Sequence, residues 1–353
     1  MAYQFADGFD NYGNSFAMVS GYPWDLAAGG NETTSTADFR FAPPGSLPGG
    51  SVSMSGSGNI LRKNLSGNIV TLIVGFGFKL PTLPGSITEL CGFWDNGTEQ
   101  CCLTVNSAGQ LQFARGNGVG TLIGTQTSAS TVTASAWYGV SIQVTLNNGA
   151  GVVQAYLNGA AVAAINSSSL NTISTANAYA NQVSLGGNVA GSPTIKYDDF
   201  YCFDTTGGFL NSRPANDTRV LTKLPTGAGN YTNWTPTGLA SNWQNAAVAP
   251  PNTADYNANN VATTKDSYAL PSAGLTTTPL FVLVRASLER DDAGTHTPSI
   301  FMRSSATDSA GVATPAVTSS YLFYDAVFQN DPNTSIAWTG SGADAAQIGI
   351  IEG

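Results

Sequence analysis

The sequence predicts an all-β chain, an antiparallel sandwich followed by a smaller β domain, and three observations carry that expectation. No window of about fifteen residues keeps apolar side chains at three-and-four spacing without Gly, Pro or a β-branched residue intruding, so helical periodicity is almost absent. Short β-rich runs recur instead, separated by Gly, Asn and Ser clusters. Two Asn-Gly dipeptides, Asn96-Gly97 and Asn158-Gly159, fall between such runs and supply the two positive-φ positions of a type I′ hairpin turn.

In chain order, the first strong strand covers residues 69–78 and is broken by Gly75 and Gly77. The Asn96-Gly97 hairpin follows. With those two as loop residues, Asp95 faces Thr98, Gly92 faces Cys101 and Cys91 faces Cys102. A Cys91–Cys102 bridge is conceivable there, although this register makes them a hydrogen-bonded pair, whose side chains diverge more than those of the alternate pairs. Strands at 140–146 and 152–157 come next, the latter returning at Asn158-Gly159 into 160–165. Strands at 182–185 and 197–203 complete the set.

A composition shift follows Phe203. The boundary is placed near 206, giving a sandwich over 1–206, a Pro- and Asn-rich arm over 207–262 and a C-terminal β domain over 263–353. A stretch this long without strong strands is uncommon inside a compact domain, so the arm should lie along a neighbouring surface, anchored by Tyr231, Trp234, Trp243 and Tyr256. Beyond it, Leu280, Val282, Val284, Ala286 and Leu288 occupy alternate positions of one strand, and further strands are expected at 298–303, 321–329 and 345–351.

Only 10% of the 353 residues are charged and the net charge is -9, against about 25% charged residues in an average soluble protein. The 42% hydrophobic content argues for folding rather than disorder. The acidic balance and scattered basic residues, Arg62 and Lys63 among them, exclude an electrostatic grip on nucleic acid. The longest apolar run is about ten residues, half of what spans a bilayer, so membrane insertion is not expected. The N-terminus shows no cleaved export signal. Four cysteines, Cys91, Cys101, Cys102 and Cys202, form neither a disulfide scaffold nor a zinc pattern and read as free thiols of a reducing cytosol.

Residues 1–206 resemble the concanavalin-like and laminin-G-like jelly rolls. The matching pieces are Asp7-Gly8-Phe9-Asp10, the strand at 69–78, the pair 103–105 and 110–113, Trp137-Tyr138-Gly139-Val140, the hairpin through Tyr156-Leu157-Asn158-Gly159, and the closing Lys196-Tyr197-Asp198-Asp199-Phe200-Tyr201. The resemblance implies that the closing strand pairs near the N-terminal one. It specifies fold and not function, because this architecture serves lectins, adhesion modules, glycosidases and passive structural parts. The remainder, with Asn233-Trp234-Thr235-Pro236, Ser241-Asn242-Trp243-Gln244-Asn245, Pro250-Pro251-Asn252 and Asp291-Asp292-Ala293-Gly294, is similar to segments of virion surface proteins of tailed bacteriophages. That implies a structural component of the particle, a head decoration or a tail or fibre part.

Catalytic constellations are thin. His296 is the single histidine and lies in a turn-like context without a nucleophile motif. The chain has no closely spaced Glu-x-Asp-x-Glu motif of the jelly-roll glucanases. Glu89, Asp95 and Glu99 share one hairpin but read as solvent-facing strand residues. The resemblance also implies calcium as a possible ion: Asp7 and Asp10 near the first strand and Asp198 and Asp199 near the last would converge if those strands pair, and otherwise occupy a turn and opposite strand faces. Seven aromatics crowd the first 24 residues (Tyr3, Phe5, Phe9, Tyr12, Phe16, Tyr22 and Trp24) and read as packing before ligand contact. Trp94 at the hairpin tip, with Tyr231, Trp234 and Trp243, supplies candidate ligand or docking surface.

The functional expectation is a non-enzymatic virion surface protein, made in the host cytoplasm, that docks onto sister subunits and other virion proteins as a homo-oligomer. The alternative is a carbohydrate-binding adhesin or spike that recognises host surface glycan, and a third reading is a secreted lectin or glycosidase.

Overall fold

The computed structural model describes residues 2–13, 23–28, 32–41, 49–56, 58–187 and 193–353. Two compact units result, the first reaching Leu221 and the second running Thr222–Gly353. The expected boundary near 206 thus falls fifteen residues too early, and no separate arm spans 207–262. Its first part belongs to the sandwich unit, and its later part supplies strands to the second unit.

Among the described residues the first unit is a sandwich of a nine-stranded and a seven-stranded antiparallel sheet. The larger one centres on Thr71–Lys79, flanked by Trp137–Thr145 on one side and Ile195–Asp204 on the other. The N-terminal strand Tyr3–Asp7 pairs with the closing strand, Asp7 opposite Phe200, as the jelly-roll resemblance implies. The smaller sheet runs, in spatial order, Thr121–Ile123, Leu111–Arg115, Thr98–Val105, Thr88–Asp95, Ala180–Gly186, Ile60–Ile69 and Leu26–Ala28. Leu72, Val74, Phe76 and Phe78 from the first sheet meet Leu61, Phe93, Leu103 and Leu185 from the second in one buried core. At about 25 cal/mol per Å² of apolar area, this burial is the main stabilising term.

Both hairpins turn as the sequence indicates: Asn96 and Gly97 have φ of 46° and 86°, Asn158 and Gly159 of 49° and 80°. The second keeps the simple register, Leu157 opposite Ala160. The first does not. Asp95 faces Thr98 and Trp94 faces Glu99, but Phe93 faces Cys101, so Gln100 is an extra residue on its strand. Its side chain accepts the backbone N–H groups of Ser174 (2.7 Å) and Thr175 (3.0 Å) and donates to the carbonyl of Asn177 (2.7 Å), which holds the bulge in place. Cys102 therefore faces Gly92 and Cys91 faces Leu103, and all four thiols are free and buried. The conceived Cys91–Cys102 bridge is removed by that one-residue shift.

The glycines that interrupt residues 69–78 have a packing reason. A Cβ on Gly75 would run into the Tyr201 ring, and one on Gly77 into the Arg40 stem. Tyr201, stacked on Phe203 at 5.1 Å, closes over the outer face of the larger sheet. Farther along the same unit Arg213 donates to Ser141 Oγ (3.2 Å) and lies 3.3 Å above the Tyr156 ring. The segment just after residue 206 is thus fastened to the sandwich's own face.

In the second unit Gly227–Thr232, Lys265–Ala269, Gln347–Ile351, Ser299–Ser304 and Thr307–Asp308 form one sheet, with Val312–Ala313 beside it. Val282–Leu288 pairs with Leu322–Phe328. Val284, Ile300, Met302, Phe328 and Trp338 form its core, and Val282, Ala286 and Leu288 pack against it as their alternation indicates. Leu280, the first of that alternating set, is exposed and precedes the strand.

Candidate functional site

Charge in this protein is spent internally. Eight of the 13 Lys and Arg are ion-paired: Arg40, Lys63, Lys79, Lys196, Lys223, Lys265, Arg285 and Arg303. Three more, Arg62, Arg213 and Arg219, lie over the rings of Trp94, Tyr156 and Phe41. Arg62 and Lys63, two of the scattered basic residues, both have a partner. Exposed apolar side chains such as Val119 and Leu122 are scattered over the surface.

The four aspartates expected as calcium ligands are buried and accept hydrogen bonds. Asp7 accepts the backbone N–H of Phe9 (3.0 Å), the Tyr12 hydroxyl (2.9 Å) and the Trp24 indole (2.9 Å). Asp10 accepts the backbone N–H of Gly50 (2.8 Å). Asp198 accepts those of Arg40 and Asp199 (both 2.8 Å), and Asp199 takes the Arg40 guanidinium at 3.1 Å and the Val220 N–H at 2.9 Å. Burial, then the charges of Asp199 and Asp10, push the Asp198 carboxyl well above the usual range. Among the described residues no three of these aspartates place an oxygen each within 4.8 Å of one another. Of the seven early aromatics, Phe5, Phe9, Tyr12 and Trp24 are buried, with Phe9 and Trp24 stacked at 6.0 Å. Phe16 and Tyr22 lie outside the described residues.

Trp94 is not the exposed tip residue expected of it. It is buried, donates its indole N–H to Ser184 Oγ (2.8 Å) and carries the Arg62 guanidinium 4.0 Å from its ring centre. Tyr231 donates to Asp308 (2.9 Å) and meets Phe301 edge-on, and Trp234 packs on the second core. Trp243, half-buried on the short helix Asn242–Ala246, lines a hollow of about 250 Å³ with Ser241, Asn242, Thr232 and Ser267. His296 bridges Glu352 (2.7 Å) and Asp292 (3.0 Å) and has no nucleophile among these partners.

The hairpin carboxylates differ most from expectation. Glu89, Asp95 and Glu99 are all buried, not solvent-facing. Asp95 is consumed by Thr175 (2.8 Å) and Asn177 (2.9 Å). Glu89 and Glu99, with Cys102, gather on the outer face of the smaller sheet, one donor atom from each lying within 4.8 Å of the others. A second bulge at Leu90 turns Glu89 outward while Leu90 and Cys91 both enter the core. No hydrogen-bond donor reaches either Glu99 oxygen. Two facing carboxylates have no donor between them unless one holds a proton. Burial, then the charge of Glu89, pushes the Glu99 carboxyl up to about 10, which favours a proton on this pair. Nothing in the sequence signals this except that two of only five glutamates share one hairpin.

No family model matches the chain, and neither does any curated protein. Among solved structures, the cellulose-induced protein Cip1 aligns over 60% of this chain and 98% of its own at 13% identity, TM-score 0.43. The Trypanosoma rangeli sialidase aligns over 49% of this chain at 12% identity and TM-score 0.32, and the chain spans only 27% of that enzyme. A structure described as a receptor binding domain aligns over 76% of this chain and 68% of its own, at 11% identity and TM-score 0.32. At these values the likenesses carry no functional weight. No helix among the described residues is long and apolar enough to cross a membrane.

Proposed function

We propose that the chain is a non-enzymatic structural subunit of a tailed-bacteriophage virion surface, working by docking against sister subunits and other virion proteins. The observation that supports this reading is the disposal of charge: nearly every cation is bound to a carboxylate or a ring of the same chain. Free charges are the common guard against association of sheet edges and surfaces. Here the end strand Thr121–Ile123 presents exposed Leu122, and exposed Val119 precedes it. A second copy of the chain is the occupant such an edge suits, because identical unguarded edges pair isologously. Sedimentation velocity of the purified chain, with quantitative mass spectrometry of purified particles, tests the reading. Oligomers in solution and a fixed copy number per particle are expected; a monomer absent from particles overturns it.

A second reading, carbohydrate recognition, draws on one feature, the hollow beside Trp243 with its hydroxyl and amide walls, since sugars stack on indole rings. A glycan array tests it: Trp243→Ala should abolish any signal that the parent chain gives.

A further inference from the structure

We infer that Glu89, Glu99 and Cys102 form a buried binding site for one zinc-class divalent cation. Three observations meet here. First, two carboxylates and a thiol place one donor atom each within 4.8 Å of the others, with Cys102 Sγ 3.9 Å from Glu89 Oε1, whereas ligand atoms bonded tetrahedrally to zinc stand roughly 3.5 Å apart.

Second, Glu99 is almost completely buried, points into this cluster, and finds no hydrogen-bond partner there other than the Glu89 carboxyl it faces. Buried polar groups are nearly always satisfied. A carboxylate facing another carboxylate needs a positive charge between them, and a metal ion supplies it as well as a proton does. Glu89, by contrast, already accepts the Gly118 backbone N–H and the Cys102 thiol at 3.9 Å, which orients it toward the same point.

Third, space has been kept for the group. A Cβ on Gly92 would collide with Glu99 Oε1, and one on Gly187 would fall on the Glu89 carboxylate. Gly118, whose backbone N–H holds Glu89, precedes Val119, which is 69% exposed, so the cluster lies near the surface on that side.

The donor set selects the ion. Calcium and magnesium take oxygen shells and reject thiolate, while zinc accepts mixed sulfur and oxygen ligands without a geometric preference of its own. Two carboxylates and a thiolate leave a single negative charge around a divalent ion. The Arg62 guanidinium, over the ring of Trp94 that faces Glu99 across the strands, neutralises it.

The test uses the untagged full chain, stripped with chelator. Titration with zinc should saturate at one equivalent and raise the melting temperature, with no response to calcium. Cobalt(II) should give a thiolate charge-transfer band. Cys102→Ser should remove that band and weaken zinc binding by at least about tenfold, the loss that even an outer-shell change causes. Cys101→Ser, whose thiol lies in the core on the other face, should leave the band in place. Glu99→Gln, nearly isosteric, should weaken zinc without unfolding the chain, and circular dichroism checks each variant. The inference is overturned if the parent chain shows no saturable one-equivalent binding, or if the cobalt band persists in Cys102→Ser.

Discussion

Arg40 reaches Asp199 at 3.1 Å with one guanidinium nitrogen and holds Asp217 with another. The closing strand and the segment after it are therefore joined through one almost wholly buried cation. Breaking a buried pair by removing one partner leaves an uncompensated charge, which costs about 3–5 kcal/mol. Arg40→Met should lower the sandwich transition in urea by that order. Arg40→Met with Asp199→Asn should cost less than the sum of the two single changes. Additive losses would show that the two groups do not interact.

The Tyr201 ring occupies the volume a side chain at position 75 would need. Gly75→Ala should destabilise the sandwich by about 1–3 kcal/mol through overpacking. Tyr201→Ala alone should also destabilise, but placed on the Gly75→Ala background it should recover part of the loss. Equilibrium denaturation of the three variants measures this, and no recovery would locate the strain elsewhere.

Two groups of the second unit, Asp344 and His296, act on its pH response in opposite directions. Burial would raise the Asp344 carboxyl, but the backbone N–H groups of Leu275 (2.9 Å) and Ala273 (3.0 Å) and the Lys223 ammonium (3.0 Å) outweigh it and hold it at about 2. A depressed carboxyl contributes stability above its unfolded value near 3.8 and loses it as pH falls toward 2. Glu352 first, then Asp292, raise the His296 imidazole. Its contribution is complete below its ordinary value near 6.5 and fades as pH rises through the raised one. Asp344→Asn should flatten the acid limb of a melting-temperature profile and His296→Gln the neutral-to-alkaline limb. Exchanged effects would refute the assignment.

If the end strand Thr121–Ile123 carries subunit contact, a lysine there should act as the missing guard. Leu122→Lys should shift the oligomer toward monomer at unchanged melting of the isolated subunit. An unchanged sedimentation profile would place the interface elsewhere.

The strands and turns were legible because period-two patterning and Asn-Gly chemistry are local: the 152–157 strand, its Asn158-Gly159 turn and the 197–203 strand all lie where expected. The pairing of Tyr3–Asp7 with the closing strand followed from the jelly-roll resemblance. Register was not legible in the first hairpin, because Gln100 bulges on account of hydrogen bonds to residues 174–177, distant in sequence. Nor was burial. Glu99 and Trp94 read as surface by residue type and hairpin position, yet Arg62 from a strand not recognised in the sequence lies against Trp94. Asp7, Asp10, Asp198 and Asp199 read as converging calcium ligands, and their burial was not foreseen. The donors that satisfy them, from Trp24 to Val220, are fixed only by the fold.

Strand alternation puts two chemically identical neighbours, Cys101 and Cys102, on opposite faces of one sheet, and the bulge at Gln100 decides that Cys101 is the one in the core. A thiol reagent meets them through different doors. Alkylation of Cys101 should wait for the core between the two sheets to open, whereas that of Cys102, which lies beside Glu89 on the outer face, should need only a local opening. Adjacent residues thus make a two-channel clock, one hand timing global opening and the other a local breath, read from a single tryptic peptide.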